Sequence, residues 1–200
     1  MANFYAVKQG RETGIFSTWG ECEKQVKGFK GAKYKKFKSE AEAKKYLGET
    51  NKKPVVDINK GYVFYVDGSY SEEKNQAGWG LAILKDGEMI DALKGIIREE
   101  DLDLGQRNIV GELIGAIATT QQAKKRNIKE FTLCFDLEGI ESWVTGDWNA
   151  ENQLTRGYRD IMRKAIDEGL KITFNKVKGH SGDKWNDYVD NLAKQAAGVL

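Results

Sequence analysis

Proline occurs once in the 200 residues, at Pro54, histidine once, at His180, and cysteine twice, at Cys22 and Cys134. The two cysteines match neither a metal-ligand spacing nor a disulfide framework, so both read as free thiols of a reducing compartment. Without a histidine and cysteine set, any metal site is expected to rest on oxygen ligands, which disfavours zinc. No apolar run approaches the roughly 20 residues of a membrane-spanning helix. The opening "MANFYAVKQG" carries neither a basic leader nor a long apolar segment, so a cytoplasmic protein without a membrane partner is expected; a monomer is also expected.

Charged residues make up 31% of the chain and apolar ones 40%, a balance that suits one or two domains with a real core. The net charge of +2 conceals a division. Residues 1–53 hold 13 Lys and Arg against 6 Asp and Glu, whereas residues 54–200 hold 19 against 24. A basic head on an acidic body suggests a polyanionic partner gripped by the head.

The head reads as a small α/β unit. "NFYAVK" alternates as a strand and "GRETGIF" turns into a second. Thr18 with Glu21 offers a capping box for a helix, "AKYKKF" a third strand, and Ser39 the cap of a second helix. "GETNKKPVVDINKG", polar and holding the lone proline, is the linker. The expected division is 1–48, a linker over 49–60, and a body over 61–200.

In the body, "YVFYVDGS" is an apolar strand and "AGWGLAILKDGEMIDALKGII" a hairpin about Lys85-Asp86-Gly87, which together make an antiparallel meander. A helix from about Asn108 to Arg126 carries Val110, Leu113, Ile114, Ile117 and Gln121 on one face. "IKEFTLCFD" is a strand, followed by two helices, the strand "LKITFNKV" and a terminal helix. A long helix between neighbouring strands implies a parallel crossover, hence an α/β fold with a mixed five-stranded sheet flanked by helices.

Four acids stand where chemistry is expected. Asp67 follows "YVFYV" and Asp136 follows "FTLCF", so adjacent parallel strands would bring both to carboxyl ends, where open α/β sheets place their sites. Glu112, in "NIVGELIGAI", is flanked by Gly111 and Gly115, which permit close approach of the helix. Asp190 lies beside Val189, Leu192, Ala193 and Ala196, near the body of the protein. Each alone also suits an ordinary strand-end, ion-paired or helix-terminal acid. Four converging acids without basic partners would raise one another's pKa and require a cation, with Mg²⁺ or Mn²⁺ favoured by oxygen-only ligation. Two such ions could activate a water and stabilise the leaving oxygen of a phosphodiester. His180, in the loop "KGHSGDK", could shuttle a proton or assist product release.

The strings "YVDGS", "RNIVGEL", "FDLEGIESWVTGDW" and "VKGHSGDKWNDYVDNLAKQAA", in this order, resemble type 1 ribonuclease H. The resemblance implies a ribonuclease H-like sheet and a metal-dependent endonuclease that cuts the RNA strand of RNA–DNA hybrids, leaving 5′-phosphate and 3′-hydroxyl ends. It also implies that Asp67, Glu112, Asp136 and Asp190 bind two Mg²⁺ ions, with Mn²⁺ as an alternative, and that His180 is auxiliary. Asn108 and Glu138 would read the 2′-hydroxyl; Glu138, an acid where relatives often carry an amide, accepts a hydrogen bond but donates none while ionised. "VTGDWNAENQ" lacks the Lys and Arg of the basic protrusion that some members carry, so grip must come from elsewhere.

Residues 3–47 resemble the hybrid-binding domain attached to many of these enzymes, notably "YAVKQGRETGIFSTW" and "VKGFKGAKYKKF". That likeness implies that Trp19 and Tyr34 lie against the DNA strand while Lys35 and Lys36 meet phosphates. Alternation along one strand agrees for Tyr34, an exposed aromatic beside a cationic rim, and puts Phe37 on the other face, in the core. The rival reading is a catalytically inactive protein that binds hybrids or duplex RNA.

Overall fold

The computed structural model describes residues 3–48, 56–97, 107–179 and 182–200, the side chains of Ala41, Lys45, Arg107 and Asn108 excepted. The chain separates into two compact units, Met1–Val55 and Val56–Leu200. His180 and most of the expected linker, 49–55, lie outside the described residues.

The first unit is a three-stranded antiparallel sheet in the order β2-β1-β3, with β1 Phe4–Gln9, β2 Gly14–Phe16 and β3 Lys33–Phe37. Helix α1, Trp19–Val26, starts at the expected capping box. The Thr18 side chain accepts from Glu21 N, and the Glu21 carboxylate accepts from Thr18 N at 3.1 Å. The core on this face is small, Val7 with Cys22 and Val26 and with Tyr5, Phe16 and Ala32 packed against them. Helix α2, Glu40–Leu47, packs on β1 and β3, where Ala6 and Ala43 are fully buried, and Ser39 Oγ accepts from Glu42 N at 3.3 Å.

The second unit is a five-stranded sheet in the order β6-β5-β4-β7-β8. Strands β4 Tyr62–Ser71, β5 Gln76–Lys85 and β6 Glu88–Ile97 form the antiparallel meander, while β7 Glu130–Phe135 runs parallel to β4 and β8 Lys171–Lys176 parallel to β7. Helices α3 Arg107–Lys125, α4 Gly139–Thr145, α5 Gln153–Asp167 and α6 Lys184–Ala197 complete it. Strand β4 is apolar at successive positions because both its faces are covered. Phe64 and Val66 join Leu113 and Ala116 of α3 in the larger core, and Val63 and Tyr65 join Val189 of α6 in the smaller one. Ile58 also packs on the smaller core, and Gly61 exchanges hydrogen bonds with Asp86 (2.8 and 2.9 Å). Residues 56–60, expected as linker, therefore belong with the body.

Strand β4 also runs further than expected. Its antiparallel ladder with β5 continues from Asp67 opposite Gly80 to Ser71 opposite Gln76, so Asp67 is not at a strand end. What ends near it is the parallel ladder with β7, whose last register pair is Tyr65 with Cys134.

Candidate active site and nucleic-acid interface

Asp67 and Asp136 each lie two residues beyond the Tyr65–Cys134 pair, on neighbouring strands that have just stopped pairing. Glu112 enters this gap from the first turns of α3. That helix can reach β4 because two glycines face each other: a Cβ on Gly111 would stand 2.6 Å from Gly78 O and 2.8 Å from Gly68 Cα, and one on Gly68 would run into Glu112 N. At Gly115, expected to serve the same approach, a Cβ would meet Val66 and Trp79 only at an ordinary 3.6 Å.

Asp67, Glu112 and Asp136 thus place one carboxylate oxygen each within 4.8 Å of one another. Asp67 and Glu112 are 7% and 8% exposed. Burial, then the charge of Asp136, pushes the Asp67 carboxyl up to about 7, although Gly68 N donates to it at 2.7 Å. The same two causes in the same order push Glu112 up to about 9, against a donated hydrogen bond from Leu137 N at 3.2 Å. Holding these groups ionised together at neutral pH requires compensating positive charge.

Asp190 stands outside this trio. It sits on α6 and accepts from Lys194 Nζ at 2.6 Å, one helical turn away. The expectation of four acids without a basic partner is therefore corrected to three acids, with a fourth already ion-paired. Asp190 is still near enough for its charge to raise the Asp67 pKa, while that of Lys194 lowers it. Lys194 was not foreseen, although its i,i+4 spacing from Asp190 is a signal legible in the sequence.

The donor set is all carboxylate, compact and partly buried, which fits Mg²⁺ or Mn²⁺. Asn108 lies in the first turn of α3, one turn before Glu112. Glu138 precedes α4 and pairs with Lys176 at 2.7 Å. The segment expected to lack a basic protrusion carries Trp148, whose ring packs edge-on against Trp143, with centroids 5.7 Å apart, and Asn152, whose side chain caps α5.

In the first unit, Trp19 and Tyr34 are 43% and 45% exposed, with ring centroids 5.7 Å apart. Trp19 is therefore a surface residue and not core. Tyr5, absent from the expected set, extends the row at 5.8 Å from Trp19, and Lys36 Nζ lies 5.8 Å from the Tyr5 ring. The strand register explains this: Tyr5 is opposite Lys36 and Val7 opposite Tyr34, so all four share one face. Lys35 and Phe37 point to the other face, where Lys35 Nζ is 5.6 Å from the Phe37 ring and Phe37 packs on Tyr46 at 5.4 Å. The two lysines thus serve opposite faces. Phe37 is half-buried against α2 and lies outside the Val7 core.

Residues 59–198 match the family model described as RNase H, and residues 3–47 the one described as Ribonuclease H1 N-terminal domain. The chain belongs to the ribonuclease H family. Its two parts, in this order, are those of a type 1 ribonuclease H with the N-terminal hybrid-binding domain, and the chain is a nuclease by that membership. It is 28% identical to human ribonuclease H1 over 262 residues, covering 97% of this chain and 89% of the relative. A ribonuclease H of Saccharomyces cerevisiae is 61% identical over 49 residues, 24% of this chain and 14% of that one. Among solved structures, ribonuclease H1 of Halobacterium salinarum superposes with a TM-score of 0.58 at 20% identity, over 70% of this chain and 98% of that chain. LC11-RNase H1 in complex with RNA/DNA hybrid has a TM-score of 0.58 at 17% identity, over 69% of this chain and 97% of that chain, and so shares the body's fold. Among the described residues, no helix is long and apolar enough to cross a membrane.

Proposed function

We propose that this chain hydrolyses the RNA strand of RNA–DNA hybrids endonucleolytically, in a reaction dependent on two divalent cations, leaving 5′-phosphate and 3′-hydroxyl ends. The observation that carries the reading is the buried trio Asp67, Glu112 and Asp136, drawn within 4.8 Å in a ribonuclease H body. The relative solved with RNA/DNA hybrid, which shares this fold, supports the substrate.

The trio would hold the cations, with Asp190 joining once Lys194 is displaced. Cations held there supply a nucleophile from water and offset charge on the scissile phosphate. The chain's own contributions are separable. Asp67 and Asp136 fix where the cations would be held at the end of the parallel ladder, and Leu137 N–H orients the Glu112 carboxylate. The P–O3′ bond breaks as a water oxygen bonds to phosphorus, so the phosphate stays on the 5′ end and the 3′ oxygen takes a proton. His180 is assigned to that proton traffic or to product release. Asn108 and Glu138 are assigned to reading the 2′-hydroxyl, the group by which RNA differs from DNA.

The head, residues 1–48, supplies grip through Trp19, Tyr34, Lys36 and the newly placed Tyr5, with Lys35 on the opposite face. The body, residues 56–200, supplies chemistry.

The test is incubation of the full chain with matched RNA–DNA, RNA–RNA and DNA–DNA duplexes, with and without Mg²⁺. Cleavage of the RNA in the hybrid alone, and only with the cation, is expected. Binding of the hybrid with no cleavage under any divalent cation would replace this reading with that of an inactive binding protein.

A further inference from the structure

Three successive residues leave β7 with three different tasks. Asp136 joins the trio, Leu137 donates its N–H to Glu112, and Glu138 turns to Lys176. Glu138 is the problem among them, because it adds a negative charge two residues from Asp136, on a surface that must accept a polyanion. Its position just before α4 would suit a capping carboxylate. Yet its backbone is already helical, at φ −55 and ψ −30, and its side chain makes no capping hydrogen bond. It accepts from Lys176 Nζ at 2.7 Å.

Lys176 is anchored for this contact. It is the last residue of β8, in register with Phe135, and the next N–H, that of Val177, donates to Phe135 O at 2.8 Å. Gly179, three residues on, is so close to Asp136 that a Cβ would be 2.5 Å from Oδ2. The strand end carrying Asp136 and Glu138 and the one carrying Lys176 are therefore joined backbone to backbone.

We infer that Lys176 is a positioning residue for the substrate, making with Glu138 a neutral donor–acceptor unit beside Asp136. A carboxylate offers about four lone-pair sites, and an ammonium carries three donors, of which the pair uses one. The unit accepts a hydrogen bond from a ribose 2′-hydroxyl through the Glu138 carboxylate and turns its remaining ammonium N–H groups to the adjoining phosphate. Without the lysine, the charge that Glu138 presents to that phosphate is less offset; without the glutamate, the lysine loses a group that aims it. The inference rests on the proposed cleavage of hybrids.

The test is a double-mutant cycle on the full chain, with steady-state cleavage of a matched RNA–DNA duplex in Mg²⁺ by the parent, Lys176→Met, Glu138→Gln and the double variant. Both side chains are about half exposed, so neither substitution opens the core. Lys176→Met is expected to raise KM by about tenfold with kcat within about twofold, and to raise it by about twofold or less in the Glu138→Gln background. An equal rise in both backgrounds would make Lys176 an independent phosphate contact and overturn the pairing. So would an unchanged KM in Lys176→Met, or a loss confined to kcat. Failure of the parent to cut the duplex would instead sink the proposed function, and this inference with it; an active parent with no coupling removes the inference alone.

Discussion

The head and the body place charge in opposite ways. In the head, lysines and the rings of Trp19 and Tyr34 lie at the surface, with Tyr5 half-buried beside them, above a core of a few side chains. In the body, Asp67 and Glu112 are withdrawn from water and pressed against Asp136, so that both hold their protons far above the ordinary carboxylate range. Exposed charge is screened and costs little to maintain, which suits affinity for a long polyanion. Buried like charge is costly and demands a cation, which suits reaction at one phosphodiester. The proposed division into grip and chemistry thus rests on solvent exposure as much as on residue type.

The sharpest way to break the comparison is Asp136→Asn, which keeps shape but removes charge from the trio. Cleavage is expected to fall on the order of a thousandfold, with hybrid binding retained, since electrostatic stabilisation of the transition state is lost. Single-turnover cleavage beside a binding titration in Mg²⁺ checks this; cleavage near the parent rate would dissolve the carboxylate assignment.

Removing the head tests the other side. A fragment from Val56 to Leu200 should still cut hybrid but bind long duplexes about tenfold or more weakly, with a shallower dependence of affinity on salt. Identical salt slopes for fragment and full chain would show that the head makes no phosphate contacts.

Within the head, Trp19→Ala should weaken hybrid binding by roughly 1–3 kcal/mol, as expected for loss of an exposed stacking surface. The 43% exposure of Trp19 implies that melting of the head changes little. A head that unfolds on this substitution would return Trp19 to the core.

The smallest effect concerns pH. Asp67 and Glu112 bind protons more tightly in the folded chain, about 7 and about 9 against 3.8 and 4.5. Their stabilising share is present below the ordinary values and is lost as pH rises through the raised ones. The cation-free protein should therefore melt at a lower temperature at pH 9 than at pH 5, and Mg²⁺ should recover about 3 °C or more at pH 9 and less at pH 5. A Mg²⁺ shift that is the same at both pH values, or that persists in Glu112→Gln, would detach the raised carboxyls from the cation site.

Much of this was legible because it is local. The Thr18–Glu21 capping box, the meander, the α3 face carrying Val110 and Leu113, and the strand–helix order leading to parallel β4 and β7 depend on periodicities and short-range hydrogen bonds written in successive residues. The candidate acids could be named on the same grounds, because their strands and helices could be placed.

What successive residues could not state is which side chains end up within a few ångströms of one another across the sheet. Only the tertiary structure brought Gly68 against Gly111 to admit Glu112, ended the parallel ladder just before Asp67 and Asp136, and left Asp190 outside the trio. It also put Tyr5 into the aromatic row, through a β1–β3 register that depends on pairing between segments far apart in the chain, whereas the opposite faces of Lys35 and Lys36 follow from strand alternation alone. The sequence by itself determined the elements, the family and the residue types available for chemistry, since these rest on local pattern and composition. The distances that turn carboxylates into a cation site, and lysines into partners, were decided by packing, because Coulomb energy and desolvation depend on separation and burial that no local pattern encodes.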